Sequence, residues 1–350
     1  MKILITGAAG FLGLHLAQYY VAHVGRGGDL TLIDIAPFTV KEYPQGSRLV
    51  SADIRDSQKM SDLLDGVDFV IHAAAALPLW RDSEIYDINV GGTATLLAAA
   101  YKRQVKRFVY ISSTAVYGVP KKHPVLETDP LVGVGPYGNS KIQAEKLCRQ
   151  YRKKNMIVTV IRPKTFVGTY RLGVFEILFD WIKDGKKIPV IGSGKNRYQL
   201  LDVDDLVEVL YRCLLLKDER TVNDTFNVGA KEFGTVATDL QALFKAALSR
   251  SAILPIPAAA IKPVLFIFEK LKLSPLYRWV YDTADKDSFV SIYKIMKAVH
   301  WRPRFSNAAA LIKAYRWYEK HYDEIKSHSA GVTHTVGWKQ GVLGLFKKFL

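Results

Sequence analysis

Cysteine is nearly absent: Cys148 and Cys213 are the two in 350 residues. Two thiols make neither a disulfide framework nor a ligand cluster, so a stapled secreted scaffold and a metal centre are not expected, and a reducing compartment such as the cytoplasm fits. No apolar run reaches the roughly 20 residues that a bilayer span needs. The first ten residues run straight into a strand, without an apolar leader or a cleavage pattern, so no signal peptide is expected. Charge of the two signs is nearly balanced in one part only: residues 1–150 carry a net +2, and the remainder, richer in Lys and Arg, carries the other +14 of the total +16. A basic excess so confined suggests an anionic partner there, whether a phosphorylated ligand, a lipid surface or nucleic acid, with ordinary surface lysines an equal explanation. No zinc-finger or RNA-binding signature supports the last of these, and no nucleic-acid partner is expected.

What is present is a globular composition, 49% hydrophobic and 23% charged, with length for one large or two ordinary domains. Residues 2–6 read as a short buried strand, and Gly7, Gly10 and Gly13 then turn the chain into an apolar helix ending near His23. A strand, a glycine-rich turn and a helix form a dinucleotide site: glycine lets the backbone approach a pyrophosphate, and the helix N-terminus faces the negative charge. A second apolar strand, residues 30–34, ends in Asp34, 21 residues after Gly13. A carboxylate there accepts both ribose hydroxyls of NAD and repels the 2'-phosphate of NADP, so NAD is the expected cofactor.

Further strands are expected at residues 49–52, with Asp53 and Ile54 beside the adenine, and at 68–72. The second runs into Ala73 and Ala74, small enough for close approach of a cofactor; His72 reads as structural. A helix over 84–101, a strand over 107–112 and another over 157–161 complete an alternation that predicts a doubly wound parallel sheet, an α/β fold of Rossmann type. Ligands bind beyond the carboxyl ends of such strands, where Asp34, Ala73 and Ser113 fall. Tyr137 and Lys141 stand four residues apart on an expected helix over 137–151, so phenol and ammonium share a face.

The motifs TGAAGFLG, Asp34, NVGGT, YISSTAVYG and YGNSK, in this order, resemble the extended short-chain dehydrogenase/reductase superfamily, the NAD-dependent epimerase/dehydratase group, over roughly residues 1–320. The resemblance implies that Gly7, Gly10, Phe11, Leu12 and Gly13 hold the cofactor phosphates. It implies that Asp53, Ile54, Ala73, Ala74 and Pro163 line the cofactor, and that Ser113, Tyr137 and Lys141 are the catalytic set, the last two also touching NAD. It further implies a homodimer through two helices, near 84–102 and 138–154. A dehydratase of this superfamily typically carries an Asp-Glu pair where this chain has Thr114 and Ala115, so dehydration is disfavoured.

The resemblance divides the chain into an NAD-binding part (1–165, with a return near 195–230), a smaller α/β substrate-binding part (166–325) and a basic amphipathic tail (326–350). Sugar-nucleotide members usually carry Asn where this chain has Thr165, and Arg162-Pro163 is similar to hydroxysteroid dehydrogenase-like members. The phosphate-binding Arg expected seven residues before Asp205 is Tyr198, with Arg197 one place off. Thr114, Lys164, Thr165 and Arg197 are the candidate substrate contacts; Arg171 and Lys195 could also meet a diphosphate or be solvated. The expected activity is hydride transfer between NAD and a secondary alcohol or ketone of a nucleotide sugar or lipid-like substrate, by an oxidoreductase or epimerase. A 3-beta-hydroxysteroid dehydrogenase-like reductase and a non-catalytic NAD sensor are the alternatives. The apolar run at 254–268 reads first as core of the substrate part, and second as a cap or a membrane-resting segment. In the tail, Trp338, Val342, Leu345, Phe346 and Phe349 fall on one helical face among lysines, a layout for an anionic membrane surface, with docking on the protein itself equally expected. Localisation would then be cytoplasmic, with a peripheral seat on the inner face of a membrane.

Overall fold

The computed structural model describes residues 1–78, 80–271, 278–327 and 347. Six strands alternate with helices through the first part: β1 (Ile3–Thr6), β2 (Leu30–Asp34), β3 (Arg48–Ser51), β4 (Phe69–His72), β5 (Arg107–Ile111) and β6 (Val158–Pro163). The helices between them are α1 (Phe11–His23), α2 (Ser57–Leu63), α3 (Asp82–Tyr86), α4 (Thr93–Lys102) and α5 (Gly135–Arg152). The chain continues through β7 (Phe166–Val167), α6 (Val174–Lys183), β8 (Ile188–Ile191) and β9 (Leu201–Asp202). From there α7 (Val203–Leu215) and α8 (Glu219–Val222) lead to β10 (Thr225–Val228).

β10 pairs beside β6, giving a seven-stranded sheet in the order β3-β2-β1-β4-β5-β6-β10 with every pairing parallel. Parallel strands need crossovers that cover both faces, and these strands, the edge strand β3 apart, are accordingly buried along most of their length rather than on alternate residues. On one face α1 and α7 pack through Phe11, Leu14, Tyr20, Leu206 and Leu210. On the other lie Leu63, Leu96, Leu97, Ala144 and Cys148 of α2, α4 and α5. The sheet is the Rossmann-type doubly wound fold that the alternation predicts, and observed strand ends lie within a residue or two of the expected ones.

The rest of the chain comprises α9 (Val236–Ala246), β11 (Ile253–Ile256), α10 (Ala258–Lys270), α11 (Arg278–Thr283), α12 (Tyr293–Ala298), α13 (Asn307–Lys320) and α14 (Tyr322–Ser327). A third core joins α6, β8, α9 and α13 through Phe179, Val190, Leu243, Tyr315 and Tyr318. Asp205, fully buried on α7, accepts hydrogen bonds from the Arg304 and Phe305 amides and so fastens the closing segment to the sheet.

The helix expected over 84–101 is present from Asp82 to Lys102, with a π-helical turn, Asp87–Gly92, between α3 and α4. One expectation is corrected: the run 254–268 is not core. Leu265 is the one buried residue among the described side chains of α10. Among the described residues no helix is long and apolar enough to cross a membrane. Of the tail face at 336–350, all but Lys347 lies outside the described residues. Lys347 ion-pairs with Asp180 of α6 and with Asp184 just past its end, at 2.5 and 2.6 Å.

Candidate functional site

The glycine-rich turn joins β1 to α1 at the carboxyl edge of the sheet. Gly7 has φ +70°, and a Cβ there would lie 2.6 Å from the Ala74 amide nitrogen, so the turn and the end of β4 touch backbone to backbone. A Cβ on Gly13 would sit 2.4 Å from Ala8 Cα, which is how closely α1 packs on the turn. Gly10 differs: its Cβ would meet Gly7 O at 3.2 Å and nothing else within 4 Å, leaving the backbone bare on that side. Phe11 and Leu12 are buried in the core and contribute backbone at the N-terminus of α1.

Asp34 closes the end of β2. Its Oδ2 accepts from the Ala9 amide and its Oδ1 from the Ala36 amide, both at 2.9 Å, so the carboxylate is fixed beside the turn. Ala73, at the end of β4, donates to Thr6 O at 3.2 Å. Asp53 and Ile54 follow β3, but their side chains are engaged elsewhere. Arg55 grips the Asp53 carboxylate with Nε and Nη2 and also reaches Asp87, and this hydrogen bonding holds the Asp53 carboxyl below the usual range. Ile54 packs into the second core beneath Gly92. His72 is fully buried between the Thr6 and Thr93 hydroxyls, at 2.7 and 2.9 Å; burial pushes its pKa down to about 3 and keeps it neutral.

Tyr137 and Lys141 lie in the first two turns of α5, opened by Gly135 and Pro136. The Tyr137 phenol is hydrogen-bonded to Ser113, whose Oγ also accepts from the Ala115 amide at 3.1 Å. Burial pushes the phenol up to about 12, opposed by the Ser113 hydrogen bond and by the charge of Arg171. Lys141 Nζ lies 5.9 Å from the Tyr137 ring centre and donates to Ile111 O at 2.9 Å. Burial lowers its pKa to about 8, with Cys148 and Glu145 opposing. The Arg171 guanidinium that supplies this charge lies 5.2 Å over Phe11 and 5.6 Å over Phe166.

Three supporting roles are not assigned by the sequence. Asn89, on the π-helical turn, donates to Ser140 Oγ at 3.0 Å and accepts from the Ala76 amide at 2.8 Å, while Ser140 Oγ donates to Tyr137 O. π-turns of this kind often sit at functional sites. The available signal was a lone Asn before two glycines. Glu145, one turn beyond Lys141, takes a bidentate pair from Arg162. Arg171 is the third.

Of the candidate substrate contacts, Thr114 follows Ser113 and is buried, its Oγ1 without a hydrogen-bond partner among the described residues. Pro163 is buried at the end of β6. Lys164 is 2% exposed; its Nζ donates to Ser288 Oγ at 2.7 Å and lies 4.8 Å from the Tyr198 ring, with no carboxylate in ion-pair contact among the described residues. Tyr198 turns inward and hydrogen-bonds Thr165 and Thr283. Arg197 is exposed, stacked on Phe233 and Phe289 at 4.7 and 4.8 Å. Arg197 and Tyr198, though adjacent, thus face different partners.

The bare backbone at Gly10, the tight packing at Gly7 and Gly13 and the fixed carboxylate of Asp34 fit the pyrophosphate and ribose of NAD. Comparison with known proteins agrees. A Sinorhizobium fredii protein, y4nG, is 31% identical over 344 residues, covering 98% of this chain and 84% of its own. The N-acetyl-alpha-D-glucosaminyl-diphospho-ditrans,octacis-undecaprenol 4-epimerase of Escherichia coli is 33% identical over 217 residues, 60% of this chain and 62% of its own. The fold is similar to that of UDP-glucose 4-epimerase from Thermotoga maritima, solved with UDP-glucose, at TM-score 0.76 and 21% identity over 92% of this chain and all of that one. The NAD dependent epimerase/dehydratase family model matches residues 3–229, and the chain belongs to that family.

Proposed function

We propose that the protein is an NAD-dependent epimerase or oxidoreductase acting on a secondary alcohol of a sugar carried on a diphosphate, with Tyr137, Ser113 and Lys141 as its catalytic residues. The observation that carries this is the Tyr137 phenol bonded to Ser113 beside a buried Lys141, on the sheet edge where Gly7, Gly10, Gly13 and Asp34 form a dinucleotide cradle.

NAD, bound there, supplies the hydride acceptor. Tyr137 takes the hydroxyl proton as the carbon is oxidised and returns it when the carbonyl is reduced. Ser113 donates to the substrate oxygen as it gains carbonyl character, and Lys141, fixed on Ile111 O, orients the cofactor end of the site. The orphaned Thr114 hydroxyl has one hydrogen bond to give to substrate. No acid or base follows Ser113, since Thr114 and Ala115 hold those places, which favours epimerisation or net oxidation over dehydration. Residues 166–325 bind the substrate in this reading, and α4 and α5 form the homodimer contact.

Two features favour a lipid diphosphate over a nucleoside diphosphate: Tyr198 occupies the place of the expected phosphate-binding Arg, and one relative is named for an undecaprenol-linked sugar. Arg162-Pro163 keeps a hydroxysteroid-like reductase as the second reading. Incubation with NAD and matched panels of polyprenyl-diphosphate sugars, UDP-sugars and hydroxysteroids, followed by mass spectrometry and NMR of products, tests it. Turnover in the first panel is expected. Turnover of hydroxysteroids alone supports the second reading, and NAD binding without any turnover supports a sensor.

A further inference from the structure

An ordinary surface helix turns apolar residues inward and charges outward. α10 does the reverse. Its outward residues are Ala259, Ala260, Pro263, Val264, Phe266 and Ile267, with Leu271 just beyond its end, and none is charged. Val264, Ile267 and Leu271 are 39, 55 and 60% exposed. Positions 260, 264, 267 and 271 form one stripe, and 259, 263 and 266 its neighbour, so the apolar surface is continuous. The charges point the other way. Lys262 Nζ donates to Asp285 Oδ1 at 2.6 Å and to Asp282 O at 3.2 Å, and Glu269 Oε2 accepts from the Tyr281 hydroxyl at 2.5 Å.

Exposed cations lie near the N-terminal foot of the helix. Gly192 donates to Ile256 O at the foot of the helix, and Lys195 extends exposed from the same turn. Lys286 is exposed on the segment that Lys262 grips, and neither lysine is ion-paired among the described residues.

We propose that the outward face of α10 is a membrane-docking surface that lies in the interface of an anionic bilayer. A helix of 13 residues is too short to span and suited to lying flat, its apolar face at the acyl boundary and lysines at the headgroups. A second copy of the chain is the poorer occupant, because stable protein interfaces engage about 20–30 residues a side and this stripe offers seven. The segment that α10 holds leads to the candidate substrate site: Thr283 bonds Tyr198, and Ser288 accepts from Lys164. A docked enzyme would therefore meet a lipid-borne substrate at the membrane surface. The docking itself stands apart from the chemistry at Tyr137.

The test is flotation of the full-length protein with vesicles of phosphatidylcholine alone and of phosphatidylcholine with phosphatidylglycerol. Wild type, Val264→Glu/Ile267→Glu and Lys195→Glu/Lys286→Glu are compared, with melting temperature and NAD binding as checks that each variant is folded. Wild type is expected to float with the anionic vesicles, the apolar-face variant to lose at least about tenfold in partitioning, and the lysine variant to lose binding to anionic vesicles only. The proposal is overturned if wild type does not float, or if a folded Val264→Glu/Ile267→Glu floats as wild type does, which would place the lipid contact in the tail. It is equally overturned if that substitution instead converts a dimer to a monomer without wild-type flotation, which would make the face a contact between copies.

Discussion

Arg162 and Glu145 form a bidentate ion pair beneath the catalytic helix, with Arg162 Nη2 2.6 Å from Glu145 Oε2 and Nε 2.8 Å from Oε1. Both side chains are nearly or fully buried, and Ser112 Oγ donates to the same carboxylate at 2.6 Å. The pair ties the end of β6 to α5 one turn past Lys141. Removing Arg162 leaves the buried Glu145 charge with only the longer pair to the half-exposed Arg149, at 3.6 Å, so Arg162→Met is expected to cost up to about 3–5 kcal/mol of stability. Glu145→Leu/Arg162→Met is expected to cost less than Arg162→Met alone. Urea unfolding of the two variants checks this, and a double variant at least as unstable as the single one would contradict it.

The glycines predict a graded response. Gly10→Ala meets one backbone oxygen at 3.2 Å and should leave the melting temperature nearly unchanged, while its methyl enters the pyrophosphate side and weakens NAD binding at least about tenfold. Gly7→Ala adds a positive φ and a 2.6 Å clash, so stability should fall by about 1–3 kcal/mol as well. Calorimetric titration with NAD and thermal melts separate the two effects.

In the proposed reading Asp34 sets the cofactor choice. Asp34→Ser removes the charge that repels a 2'-phosphate and weakens the hold on the Ala9 amide. NAD affinity should fall and the ratio of NAD to NADP affinity should shrink at least about tenfold, as read by titrating both cofactors.

Lys164 makes stability depend on pH. Burial pushes its pKa from 10.5 down to about 7. Between these values the unfolded chain holds a proton that the folded chain has released, so this residue's contribution to stability rises with pH from about 7 towards 10.5. Wild type should therefore gain stability relative to Lys164→Met across that window, with the variant at its greatest relative advantage below pH 7. Urea midpoints at pH 6, 8 and 10 measure it; a constant difference would show that Lys164 does not titrate in the window.

Much of the sheet was legible because buried parallel strands are unbroken apolar runs punctuated by glycine, and Leu30–Asp34 was delimited to the residue. The π-helical turn was not, since Asp87–Gly92 keeps helical periodicity and the extra residue per turn answers to Asn89 reaching Ala76 and Ser140 across the fold. Arg171 was legible as a cation, but its effect on Tyr137 depends on a loop after β7 whose path no local pattern encodes. α10 shows a further limit: periodicity marks an apolar face and cannot say whether that face turns in or out. Leu265 turns in while Val264 and Ile267 turn out, because Lys262 and Glu269 find Asp285 and Tyr281 on the inner side.

Tyr137 is the centre of the account, and Tyr137→Phe tests it most directly. Turnover of whichever substrate the wild type accepts is followed alongside NAD affinity measured by titration. In the proposed reading the phenol supplies the proton transfer while the glycine turn and Asp34 hold the cofactor. The variant should therefore bind NAD nearly as wild type does and turn over at below about 1% of its rate, within the range expected for loss of a general acid/base. A variant that keeps more than a few per cent of wild-type turnover would contradict the assignment.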